Sequence, residues 1–206
     1  MDDESKSLFS ARKKDWWNNA CLNYMRGGNT WTGYSMGYKN GADILCNHVD
    51  LTQRSQDTLI FPIIFLYRHY LELIIKEILS DCAKILEEDI KFKHHNLSSY
   101  WEMVKSNCSR AVEDEIPSDM KDQIENVIRQ LICVDKGSDA FRYPFRTDGT
   151  PTLQGITHIN IKQFSEQVSK ASDALEAISS MLSVIVEMKS EHQANMRQLY
   201  GSTQEY

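Results

Sequence analysis

Glycine and proline are scarce in this 206-residue chain, at nine and four residues. Such scarcity argues against a turn-rich β-sandwich. A strong excess of one charge is also missing. Lys and Arg number 23 against 29 Asp and Glu, for a net charge of -6. A mildly acidic chain exerts no global pull on nucleic acid, so any such binding has to come from a local basic patch. Cysteine pairing motifs are absent too. Cys21, Cys46, Cys82, Cys108 and Cys133 are widely spaced, with no CxxC and no Cys/His cluster. A structural zinc site is therefore not expected, and neither a metal nor a cofactor is called for. An odd number of scattered thiols suits a reducing cytosol. The opening MDDESKSLFSARKKDWW starts acidic and lacks an apolar segment, so it does not read as a secretory signal and a cytoplasmic location is expected.

What the chain does have is 41% hydrophobic residues, enough to build a core. The most apolar run, Leu59 to Leu79, contains Arg68, His69, Glu72, Lys76 and Glu77. A charge at the centre of a bilayer costs about 3 kcal/mol. The run is therefore expected to be a buried helix of a bundle rather than a membrane span.

The pattern along the chain is helix after helix, consistent with a single domain over 1–206. A first helix is expected over about Ser7 to Met25, with Phe9, Trp16, Trp17, Ala20 and Tyr24 as apolar positions. Gly27, Gly28 and Asn29 break it. A second helix is expected over Tyr34 to Thr52, where Gly37 and Gly41 lie four apart and would let a neighbouring helix come close. The long central helix is expected over Asp57 to Glu88, with Asp57 as N-cap and Pro62 in the early turns, spanning about 50 Å. Asn96 is placed to cap a short helix over Leu97 to Asn107. Pro117 opens a further helix, with Ile116 or Ser118 near its cap, ending near Val134. Residues 137–158 read as an irregular loop in which 151–153 and 156–159 are expected to pair as a small hairpin. A long amphipathic C-terminal helix follows over about 161–200. Its apolar face, Phe164 through Leu175 and Leu182 to Met188, could meet the bundle or a second copy.

The central helix carries the chief clue to function. Arg68, Glu72 and Lys76 follow at steps of four, so they stack in one column, with His69 three residues from Glu72. Charges in a dry core cost several kcal/mol unless paired. The column must therefore meet partners, a water-filled cleft or another subunit. One reading is an internal ion ladder exposed along one edge. The other is a polar cleft in which Arg68 and His69 face a phosphate and Glu72 orients them. Two further segments could converge on it. His94 and His95 precede a helix N-terminus, which favours anions. Arg142, Tyr143, Arg146 and Asp148 form a loop stocked for holding phosphate and stacking on a base. Each also has a plainer reading, as a capping turn and as a structural loop. His48, His158 and His192 show no partner at this level.

These pieces together resemble bacterial HEPN-like proteins. The matching stretches are GYKNGADIL at Gly37–Leu45, FPIIFLYRHYLELIIKEIL at Phe61–Leu79, HNLSSYW at His95–Trp101 and AFRYPFRTDG at Ala140–Gly149. The resemblance implies an all-α up-and-down helical bundle, often a homodimer. Many such proteins are metal-independent ribonucleases of toxin–antitoxin, abortive-infection and other phage-defence systems. Their usual motif is an Arg, four to six residues, then a His, contributed by both subunits. A His moves a proton to or from the ribose 2′-OH or the leaving oxygen, and an Arg stabilises phosphate charge. This sequence departs from the pattern. No Arg is followed by His at that spacing, Arg68 and His69 are adjacent, and Arg142 is far from His158.

Two functional readings therefore stand. In the first, the chain binds or cleaves RNA in prokaryotic defence or stress response. Arg68, His69, Glu72 and His95 would be its catalytic group, and Lys76, Arg142, Tyr143, Arg146 and Asp148 its binding group. In the second, it is a non-catalytic helical module for dimerisation or for docking a partner protein from the same operon.

Overall fold

The computed structural model describes residues 7–22 and 30–201, and all of its regular structure is helical. By its internal contacts the chain divides into two units, residues 1–30 and 31–206. Five α-helices follow in order: α1 (Thr30–Thr52), α2 (Gln56–Leu86), α3 (Leu97–Val112), α4 (Ser118–Val134) and α5 (Ile161–Gly201).

The helix expected over 7–25 does not form in its described part. Residues 7–22 hold only a 3-10 turn at Trp16–Asn18, and 23–25 lie outside the described residues. Leu8, Phe9, Trp16 and Trp17 are all exposed. A short helix without a packed face is marginal in water, so helical spacing alone is not enough here.

α2 is the centre of the larger unit. It packs against α3 and α5, and α4 leans on α5 with a lighter contact to α3. Ile63, Leu71, Ile75, Ile78 and Leu79 of α2 are fully enclosed. Each contributes about 2 kcal/mol by leaving water. By length and composition α2 is also the one described helix that could cross a membrane, and about half of its apolar window is buried inside the domain. It starts one residue before Asp57, with Ser55 at the cap in a left-handed conformation and giving no side-chain cap bond. Asp57 is thus not the N-cap. It sits in the first turn, where a carboxylate still favours the helix dipole. Pro62 falls in the second turn, so one backbone bond is forgone.

α1 reaches α2 through long side chains. The Tyr67 hydroxyl donates to Asp43, and the Tyr38 ring meets the His69 ring edge-on at 4.3 Å. Gly37 does not serve a close helix approach, because nothing lies within 4 Å of where its Cβ would be. Gly41 meets only Leu66, at ordinary contact distance.

The other boundaries follow the sequence closely. The Asn96 side chain accepts from Ser99 N–H and caps α3, which runs on to Val112 rather than stopping at Asn107. Pro117 is the N-cap of α4. α5 buries Val168, Ala171, Leu175, Ile178 and Leu182, then continues with Met188 and Leu199 exposed. Lys189 of α5 donates to the Ile85 carbonyl at the end of α2, at 2.7 Å.

The loop between α4 and α5 is irregular, but the pairing of 151–153 with 156–159 does not form. The one β-bridge among the described residues joins Phe145 and Pro151. The reason is the turn at Asp148 and Gly149. Gly149 adopts φ +82°, and Asp148 accepts from the Thr150 N–H and hydroxyl. This folds 144–146 back on 150–152. Leu153 and Gly155, both at positive φ, then bend the chain away.

Candidate functional site: a buried ion ladder beneath an exposed histidine

The charged column of α2 is inside the protein. Arg68, Glu72 and Lys76 are 1%, 2% and 8% exposed. Glu72 is the hub. Its Oε1 accepts from Lys76 Nζ at 2.6 Å and lies 2.7 Å from His95 Nδ1, and its Oε2 is 3.7 Å from Arg68 Nη1. Lys76 also sits over the rings of Tyr100, at 5.4 Å, and Phe92, at 5.8 Å, where a cation gains from the π-face. Burial alone would raise the Glu72 carboxyl. The bonds from Lys76 and His95 outweigh it and hold the pKa below the ordinary carboxylate range.

Arg68 lies deeper. Its Nε is 3.5 Å from Asp135 Oδ2, and its Nη2 donates to the His95 carbonyl at 3.3 Å. Burial lowers its pKa against the pull of Asp135 and Glu72. Nε and Nη1 have charge partners at 3.5 and 3.7 Å but no aligned hydrogen bond.

His95 is the member that reaches water. Its side chain is 72% exposed while Nδ1 rests on Glu72. An ionised carboxylate only accepts, so Nδ1 is the donor to Glu72, and the other ring nitrogen has no hydrogen bond to a described residue. A carboxylate that fixes the tautomer and orientation of an imidazole is a recurring arrangement in proton-transfer sites. The turn that presents His95 is itself held. The Tyr100 hydroxyl donates to the His94 carbonyl at 2.6 Å, the His94 ring stacks on Tyr100, and Arg68 binds the His95 carbonyl.

No protein-family model, curated protein or solved structure matches this chain. The site has to be read from its own geometry.

Arg68, Glu72, Lys76 and His95 are brought together, and Arg68, Glu72 and Lys76 are buried rather than exposed along an edge. Among the described residues, the grooves are lined by other side chains. Arg68 lies under the surface, so it is not presented to a ligand as a phosphate contact. His69 is half-buried between the Tyr38 and Phe65 rings, and burial lowers its pKa. Arg142 is exposed. Its guanidinium lies over Phe65 at 5.7 Å and over Tyr143 at 5.4 Å, and its Nε donates to the Ser138 carbonyl. Phe65 thus carries both His69 and Arg142. Tyr143 and Arg146 are exposed on the same loop. The Asp148 carboxylate is engaged in its own turn with Thr150, so its role there is structural.

Asp135 was not anticipated. It is 3% exposed, and its Oδ1 accepts the N–H groups of Asp139 and Ala140 while Oδ2 faces Arg68. It therefore ties the Arg142 loop to α2. The nearby Gly137 hinted at a turn, but the pairing with Arg68 spans too much sequence to be seen in any local pattern. Cys82 and Cys108, far apart in sequence, also meet in the core, with sulfurs 3.6 Å apart between α2 and α3.

Proposed function

We propose that this is a HEPN-like cytoplasmic domain of prokaryotic defence or stress response that binds and cleaves RNA at the surface around His95. The observation that carries the reading is the exposed imidazole whose Nδ1 is anchored on a buried, charge-locked Glu72. Nε2 takes the proton of a ribose 2′-OH. The 2′-oxygen bonds to phosphorus as the bond to the 5′-oxygen breaks, and the imidazolium of His95 returns the proton to that leaving oxygen, directly or through water. Arg142, held on its aromatic support, is the cation placed to meet a phosphate, and Tyr143 offers a ring for a base. Arg68 and Lys76 act through Glu72, and Arg68 also through the His95 carbonyl. They are positioning residues. A homodimer and a partner protein from the same operon fit this reading.

The test is incubation of the purified chain with end-labelled RNA in excess chelator. Cleavage is expected, and His95→Ala should lower its rate at least about a hundredfold. Because His95→Ala also removes a partner of the buried Glu72, the comparison is made below the variant's own melting temperature, where it is still folded. RNA left intact by the wild-type protein ends the nuclease reading.

One observation favours the second reading, a non-catalytic interaction module. Arg68, Glu72 and Lys76 are mutually paired, and the described grooves open elsewhere on the domain. Retention of partner binding by His95→Ala, with no effect on RNA from either protein, would support it.

A further inference from the structure

A second feature shares no residue with the His95 surface. An apolar groove of about 250 Å³ lies between α2, α4 and α5. Ile64, Leu131 and Val168 form part of its lining, and the amides of Gln130, Gln163 and Gln167 join them. No ionised side chain lines it. A neighbouring cavity of about 260 Å³ shares Phe141, Ile156 and Ile159 with it and adds Asp57 as its one carboxylate. The chain at 156–159 therefore borders both cavities.

That bordering segment, like the longer stretch at 88–96, lies outside the helices. Residues 156–160 form no helix, strand or turn. Ile156 N–H donates to Leu153, and the Asn160 carbonyl accepts from Phe164. Between them, the backbone N–H and carbonyl groups of residues 157–159 have no hydrogen-bond partner among the described residues. Thr157 and His158 are exposed. Unpaired main-chain donors and acceptors beside an apolar trough are a template for adding a strand.

We propose that this groove binds an extended, uncharged segment of a partner protein, with apolar side chains at alternate positions. The segment pairs its main chain with residues 157–159 and seats side chains in the two cavities. The absence of charge in the main groove sets the partner's chemistry, because an ionised side chain entering it would lose its water without a counter-ion. The glutamine amides both donate and accept, and so match peptide groups rather than a phosphate or a carboxylate. An apolar groove and a second, mixed cavity on either side of one backbone segment fit the two-residue alternation of a strand.

The probe is a peptide selected from a random displayed library on the full chain, then synthesised with blocked ends and measured by fluorescence anisotropy. A consensus of alternating apolar residues without Asp or Glu is expected. On binding, the amides of residues 157–159 should shift in NMR spectra and become protected from exchange. Thr157→Pro removes an N–H that has no internal partner, so the fold should melt unchanged while affinity falls about tenfold or more. Gln163→Glu, on the exposed turn of α5, should weaken binding in the same way without unfolding the chain. A charged consensus overturns the proposal. So does binding that both variants leave intact, or occupation of the groove by a second copy of the chain or by a small apolar molecule in place of the peptide.

Discussion

Glu72 and Glu77 stand five residues apart on α2, both almost fully buried, and their pKa values move in opposite directions. At Glu72 burial is overcome by hydrogen bonds from Lys76 and His95, and the carboxyl stays ionised below the usual range. At Glu77 burial prevails over the donated hydroxyls of Thr32 and Ser35, Asp81 adds repulsion, and the pKa rises. Equal burial therefore does not mean equal ionisation. The groups that face a buried carboxylate decide whether its ionised form is favoured or disfavoured. Glu72 organises the His95 surface, whereas Glu77 ties α1 to α2.

The strongest way to break this contrast is Glu72→Gln. It leaves Lys76 and Arg68 with a missing counter-charge in the core and should destabilise the protein by about 3 kcal/mol in urea unfolding. A loss below about 1 kcal/mol would mean that the ladder is hydrated and that Glu72 is not its hub. Asp135→Ala comes next. It removes both the Arg68 partner and two bonds that order the loop after α4, and should cost about 2 kcal/mol. Its loop amides should exchange faster.

Glu77→Gln is the mildest. An amide resembles the protonated acid, the form that burial favours at Glu77, so a loss under about 1 kcal/mol in mildly acidic solution is expected. The pH dependence sharpens the comparison. Glu72 has a depressed folded pKa, so its contribution is present above the unfolded value and is lost as pH falls through the folded one. Glu77 has a raised folded pKa, so its contribution is full below the unfolded value, near 4.3 in peptides, and is lost as pH rises through the folded one. The stability of the wild type relative to Glu72→Gln should therefore grow with pH out of the acid range. Relative to Glu77→Gln it should shrink. Parallel slopes in the two difference curves would refute the contrast.

The sequence showed the helical frame wherever an apolar face met a core. α2 and α5 were visible in their spacing, and Asn96 announced the start of α3. The N-terminal segment misled because Trp16 and Trp17 have helical spacing but no buried surface to reward it. Gly37 misled for a related reason, since four-residue spacing suggested a neighbour that is not there. Within the site, the Arg68–Glu72–Lys76 column was legible because it is local to one helix. The link from Glu72 to His95 and the anchoring by Asp135 join separate elements, and local periodicity carries no trace of them.

The adjoining thiols of Cys82 and Cys108 give the protein an internal reporter. Both are sealed between α2 and α3, whereas Cys21 and Cys133 are exposed. A thiol reagent added to the native chain will consume the outer pair at once, the half-buried Cys46 more slowly, and the inner pair only when α3 separates from α2. The slow phase of such labelling measures how often that interface opens, and with it how often the segment bearing His95 is released from its support.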